Sequence, residues 1–293
     1  MRTLIISAIT CLLIASCHND GVKNGWTEAN LKGKVKSFKW TSYYAKERFG
    51  EIVKRDRQKI YCCVGRQDNI QEPVFMAVYE YDEQGNKIVL SGYDSDGDLD
   101  FRDVNKYDEQ GNVIEASTYD SDGDLDIRHV YKYDEQGNKI VLSGYDSDGD
   151  LDFRAVQKYD EQGNEIEMSR YDSDGDLLYD KVYKYDEQGN VIEARRYRDG
   201  ILLLKVTSKY DEQGNVIEMS VYDSDGDLDY RYVNKYDEQG NVIEMSRYDS
   251  DGDLDIRDAY QYDFDRLGNW IKRVRFKNEI PRTIDEREYE YYD

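Results

Sequence analysis

The segment YDSDGDLDIR, Tyr248 to Arg257, sets Asp249, Asp251, Asp253 and Asp255 at alternate positions, and nearly the same string begins at Tyr93, Tyr119, Tyr145, Tyr171 and Tyr222. Acids so spaced are what a calcium loop presents, because a hard cation collects about six to eight oxygens at short range. The match then breaks. The sixth position is Leu254 where a calcium loop turns on Gly, and the twelfth, where a bidentate Glu would close the shell, is Asn105, Tyr131, Gln157, Tyr183, Asn234 or Tyr260. A variant copy, Tyr197-Arg198-Asp199-Gly200-Ile201, keeps the Asp-Gly but drops the other acids. These stretches therefore read first as polar turns. Calcium is the alternative, with Asp94, Asp96, Asp98, Asp249, Asp251 and Asp253 as its ligands, since stacked acidic turns attract divalent cations.

Other chemistry is thinner. The chain has two histidines; His18 lies near the start, and His129 replaces a residue that varies between copies. Pairs such as Asp96 and Asp98 recur in solvated turns, without the asymmetric, partly dry setting that separates an acid from a base. No enzyme is expected. The 28 tyrosines could stack on sugar faces, but each Tyr of a Tyr-Asp pair opens a turn, where a packed ring with a wet hydroxyl is the simpler reading. A formal charge of -23 over 293 residues would repel polyphosphates, so nucleic acid is excluded as an expected partner.

The elements that hold these residues repeat. YDEQGN recurs at Tyr81, Tyr107, Tyr133, Tyr159, Tyr185, Tyr210 and Tyr236, spaced by 26 residues except for one interval of 25. The acidic turn lies midway, so each unit is two turns and two strands. In Leu125 to Tyr133, Leu125, Ile127, Tyr131 and Tyr133 share one parity while Arg128, Val130 and Lys132 share the other. The expected fold is all-β, an elongated array of antiparallel hairpins with a 26-residue period, wound as a solenoid or spiral sheet.

The recurring Tyr-Asp-x-x-Gly-Asn with its Tyr-Asp-x-x-Gly partner resembles the YD repeat of Rhs-type proteins, from about Tyr79 to Asn269. The stretch from Leu31 to Arg55 resembles the divergent opening unit of short lipid-anchored members, and the stretch from Tyr262, with Trp270 and Pro281, resembles their closing unit. In large members the repeats form a shell around a C-terminal toxin segment, a plan that the repeats running almost to Asp293 do not follow. The divergent ends are expected to stop the stack without a sticky edge, Pro281, Lys272, Arg273, Arg275 and Lys277 serving that purpose.

At the start, Arg2 precedes a short apolar run, and Leu13-Ile14-Ala15-Ser16-Cys17 resembles a bacterial lipobox. That resemblance implies cleavage before Cys17 and acylation of its thiol, a membrane partner through the lipid, and, with His18 next, the outer membrane. The adjacent Cys62 and Cys63 form no disulfide framework, and no chemistry is assigned to them. The expected organisation is a signal peptide over 1–16, a linker over 17–30, a divergent N-terminal unit over 31–78, repeats over 79–261 and a closing unit over 262–293. The expected function is a non-enzymatic, lipid-anchored envelope or surface module that binds protein or carbohydrate, without a cofactor unless calcium. A structural spacer and a calcium-binding acidic repeat protein are the alternatives.

Overall fold

The computed structural model describes residues 25–55 and 75–293. Cys17, the signal segment and the Cys62-Cys63 pair lie outside the described residues. Apart from a four-residue helix, Gly25–Glu28, the regular structure is strand.

Two compact units divide the described chain. One, Ile127–Arg257, holds β7 (Leu125–Tyr133), β8 (Lys139–Tyr145), β9 (Leu151–Tyr159), β10 (Glu165–Asp172), β11 (Leu177–Tyr185), β12 (Val191–Arg198), β13 (Ile201–Tyr210), β14 (Val216–Tyr222), β15 (Leu228–Tyr236) and β16 (Val242–Asp249). Each of these pairs antiparallel with the next. The other unit brings the ends of the chain together. It holds β1 (Val35–Arg48), β2 (Glu51–Lys54), β3 (Met76–Tyr81), β4 (Lys87–Tyr93), β5 (Leu99–Tyr107) and β6 (Val113–Asp120), with β17 (Leu254–Phe264), β18 (Trp270–Lys277) and β19 (Ile280–Tyr291).

The turns are built as the residue types dictate. Asp108 Oδ1 accepts the backbone N–H groups of Gln110 and Asn112 at 2.9 and 2.8 Å, and Gly111 takes φ of 87°, where a Cβ would be strained. At five of these turns the preceding Tyr packs its ring and donates its hydroxyl to a carbonyl near the start of the preceding strand. Tyr107, Tyr159, Tyr185, Tyr210 and Tyr236 reach Lys87, Lys139, Glu165, Val191 and Val216 in this way. That bond satisfies a half-buried phenol that would otherwise lose its water partner.

Strand parity divides each sheet into a covered and an open face. In β9 the covered face carries Phe153, Ala155 and Gln157, all under 9% exposed, while Asp152, Arg154 and Lys158 are exposed. Along the open face a Lys–Glu pair recurs at Lys106–Glu115, Lys158–Glu167, Lys184–Glu193, Lys209–Glu218 and Lys235–Glu244. At three of them the next open-face pair is Val–Ser, Val104↔Ser117, Val156↔Ser169 and Val233↔Ser246, with serines buried beneath the longer neighbours.

An open, elongated solenoid or spiral sheet is not what the chain builds. One side of β1 pairs with β3, through Phe38↔Tyr79 and Trp40↔Ala77; the other pairs with β19, through Phe38↔Tyr289, Trp40↔Arg287 and Ser42↔Asp285. The first long strand thus meets the last. All nineteen strands belong to one sheet, which closes as an antiparallel β-barrel of eighteen strands with β2 attached as a hairpin to the far end of β1. The period told only that each strand pairs with the next, a rule that an open stack and a closed ring satisfy equally. Closure wins because it pairs the backbone groups that two open edges would leave bare. The divergent ends are therefore not edge blockers. Arg273 and Arg275 lie within paired strands and hold carboxylates, and Pro281 sits where the β18–β19 register shifts.

Candidate functional site

Joining the chain's ends creates a cluster that no repeat contains. Trp40 on β1, Tyr260 and Tyr262 on β17, Trp270 and Arg273 on β18, and Arg287 on β19 meet on the covered face of the end unit. Trp40 and Trp270 stand edge to face with centroids 6.1 Å apart, and Tyr262 lies 6.3 Å from Trp270. The Arg287 guanidinium carbon sits 3.7 Å from the centre of Trp270 and 4.6 Å from that of Phe38. Arg273 lies 5.0 Å from Trp270 and 5.6 Å from Tyr260. These are cation–π distances, and the desolvated setting strengthens them.

The two arginines differ in their partners. Arg273 donates through Nε at 3.0 Å and Nη2 at 2.9 Å to Asp285 Oδ2, and Asp285 is only 4% exposed. Arg287 has no acid partner of that kind among the described residues; its Nη1 donates to the Tyr289 hydroxyl at 3.3 Å. Burial pushes the Arg287 guanidinium below its usual range, against the opposing pull of Tyr289. Arg287 Nε and Trp40 Nε1 are buried donors without a hydrogen-bond partner among the described residues. Two aromatic faces, an arginine fork and two unmet donors form a surface suited to a polyhydroxylated ring, whose C–H face stacks while its hydroxyls accept.

The residues singled out from the sequence lie elsewhere. Asp94 Oδ1 accepts the N–H groups of Asp96 and Asp98 at 2.8 and 3.0 Å, and Asp249 Oδ1 those of Asp251 and Asp253 at 3.1 and 2.9 Å. The leading acid of each candidate calcium loop thus caps its own turn, while Asp96, Asp98, Asp251 and Asp253 remain exposed. Among the described residues no three His, Cys, Asp or Glu side chains converge on a metal position. His129 lies on the covered face with its ring 5.7 Å from Phe153.

Sequence reasoning passed over Trp40, Trp270 and Arg287. A signal was present, since all three tryptophans, Trp26, Trp40 and Trp270, lie in the divergent ends and none in a repeat.

No family model and no curated protein matches the chain. Among solved structures, a porin-like protein from Bacteroides uniformis is similar at 10% identity and a TM-score of 0.44, over 88% of this chain and 98% of that one. The TcdB2-TccC3-Cdc42 complex is similar at 13% identity and a TM-score of 0.21, over 74% of this chain and 16% of the other. A DUF1329 family protein from Desulfovibrio piger is similar at 7% identity and a TM-score of 0.22, over 88% and 86% of the two chains.

Proposed function

We propose that this is a non-enzymatic carbohydrate-binding barrel of the bacterial cell envelope, anchored through an acylated Cys17, that takes its ligand on the aromatic cluster of the end unit. The observation that carries the reading is the meeting of Trp40, Trp270, Arg273 and Arg287, with the buried donors Trp40 Nε1 and Arg287 Nε unmet. A closed barrel is compatible with an outer-membrane or envelope location. Anchorage by lipid is favoured over a bilayer-spanning wall. A spanning barrel needs an apolar band facing lipid, whereas the open face carries Lys–Glu pairs repeat after repeat and the covered face carries Arg170, Arg196, Arg247, Arg273 and Arg287. A spacer that holds its ends apart is disfavoured, because β1 and β19 are neighbours.

The test is a glycan array with the full chain in detergent, followed by titration calorimetry on any hit. Trp270→Ala and Arg287→Met should each weaken binding about tenfold or more with the barrel still folded by circular dichroism. Binding unchanged in both variants overturns the site. Separately, Cys17→Ala should abolish incorporation of labelled palmitate, and undiminished labelling removes the anchor.

A further inference from the structure

On the covered face, one pair of positions facing each other across the turn YDEQGN varies from unit to unit. Taken in order along the chain, the directly opposed pairs are Ala77↔Gly92, Asp103↔Thr118, His129↔Gly144, Ala155↔Arg170, Lys181↔Arg196, Val206↔Val221 and Tyr232↔Arg247. Most are complementary or neutral. Asp103 accepts from the Thr118 hydroxyl at 2.7 Å, and Arg247 lies 4.6 Å over Tyr230. Lys181↔Arg196 alone among them sets two cations directly opposite, which destabilises a sheet.

A third cation is adjacent. Arg170, on β10, faces Tyr179 of β11 across the ladder and stacks 3.6 Å from the Phe153 ring centre, while Arg196 lies 4.0 Å over Tyr179 and Lys181 Nζ lies 5.7 Å from it. Arg170 Nε and Arg196 Nε are buried without hydrogen-bond partners, and neither arginine makes an ion pair among the described residues. The acids nearby do not balance the three cations. Asp172 ends β10 with its Oδ1 accepting from Asp174 and Asp176 in its own turn, and Glu165 is a single carboxyl at the other end of the strand. Burial, then the charge of Arg196, pushes the Lys181 ammonium down, with Glu165 pulling the other way. Burial likewise pushes the Glu165 carboxyl up, weakening it as a counter-ion.

We infer that Arg170, Lys181 and Arg196, on the floor formed by Tyr179, make a binding site for a phosphoryl or sulfuryl oxyanion on the covered face of β10, β11 and β12. Such a group accepts from two guanidinium forks and an ammonium at once, turning an opposition that costs stability in the empty protein into a binding contribution. The chain's overall charge does not preclude this, because the repeated acids lie on the turns and in the open-face Lys–Glu pairs, while these cations share a partly desolvated patch in which Glu165 is the strand carboxyl that acts on Lys181. The site shares no residue with the aromatic cluster of the end unit and stands without it.

The experiment uses the full chain, thermal melting and calorimetry. Probes are sodium phosphate and sodium sulfate against sodium chloride at equal ionic strength, and a sulfated and a phosphorylated disaccharide against their neutral parent. Phosphate or sulfate should raise Tm beyond the chloride control. Arg196→Gln should raise the Tm of the empty protein, by relieving the opposition to Lys181, and weaken oxyanion binding about tenfold. Arg170→Gln should weaken binding without that gain, and Trp270→Ala should leave oxyanion binding unchanged. Tighter binding of an ester than of the free ion assigns the group to a glycan; equal binding assigns it to the free ion. The site is overturned if phosphate and sulfate act no differently from chloride, if the oxyanion shift persists undiminished in Arg170→Gln and Arg196→Gln, or if Arg196→Gln lowers the Tm of the empty protein.

Discussion

The covered faces of the two units use arginine differently. In the end unit, Arg273 and Arg275 each meet a carboxylate that is almost wholly buried, Asp285 at 4% exposed and Asp258 at 1%. In Ile127–Arg257, Arg170 and Arg196 sit 3.6 and 4.0 Å over Phe153 and Tyr179 and make no ion pair among the described residues. The difference follows from how the two sequences vary. The end strands are divergent, so acids and bases are placed pair by pair. The repeats are copied, and a single substitution in one copy, such as Lys181 where Ala155 or Val206 stands elsewhere, brings a cation opposite an arginine without a matching acid. Pairing of Arg273 and Arg275 ties closure strands together, whereas the lack of an ion pair at Arg170 and Arg196 leaves charge available for a ligand.

The sharpest way to break this comparison is to remove one buried carboxylate. Asp285→Ala leaves Arg273 uncompensated and should destabilise by about 3 kcal/mol in a urea melt, with most of the loss recovered in Asp285→Ala/Arg273→Met. A loss under about 0.5 kcal/mol would mean that the pair adds little to closure.

A feature that the units share should respond alike in both. Gly92 and Gly144 lie opposite Phe101 and Phe153, and a Cβ at either would come 2.2 Å from the ring's Cε1. Gly92→Ala and Gly144→Ala should each cost about 1–3 kcal/mol, and Phe153→Leu should restore much of the loss at Gly144. Unequal costs would show that the two units differ in more than their charges.

Acid should weaken the turns of both units. The Asn112 side chain, then its backbone N–H, holds the Asp108 carboxyl below its usual range, and the Asn138 side chain does so first for Asp134. With the folded pKa depressed, the stabilisation is complete above the unfolded value near pH 3.9 and is lost as pH falls through the folded value. The urea midpoint should therefore drop below about pH 4, less steeply in Asn112→Leu and Asn138→Leu; an unchanged slope would deny the amides this role. The smallest effect is expected on the open face. Lys158→Ala removes an exposed pair with Glu167, and the small loss expected should be erased by salt.

Much of the local structure was legible in the sequence. The alternation of Phe153, Ala155 and Gln157 with Asp152, Arg154 and Lys158 gave the two faces, and Asp-x-x-Gly gave a turn that its own aspartate caps. The aromatic cluster was not legible as a site, because Trp40 and Arg287 are separated by most of the chain and become opposed only through β1 and β19.

The sequence by itself determined the strands, their turns, the parity of each face and the packing of the turn tyrosines, all set by contacts within one or two hairpins. Only the tertiary structure decided that the sheet closes, that the end strands lie side by side, and that Lys181 faces Arg196. The physical reason is that a period of 26 residues specifies how each strand meets the next but carries no information about where the last one goes. That choice was made by the pairing of two divergent strands and the bare edges it removed.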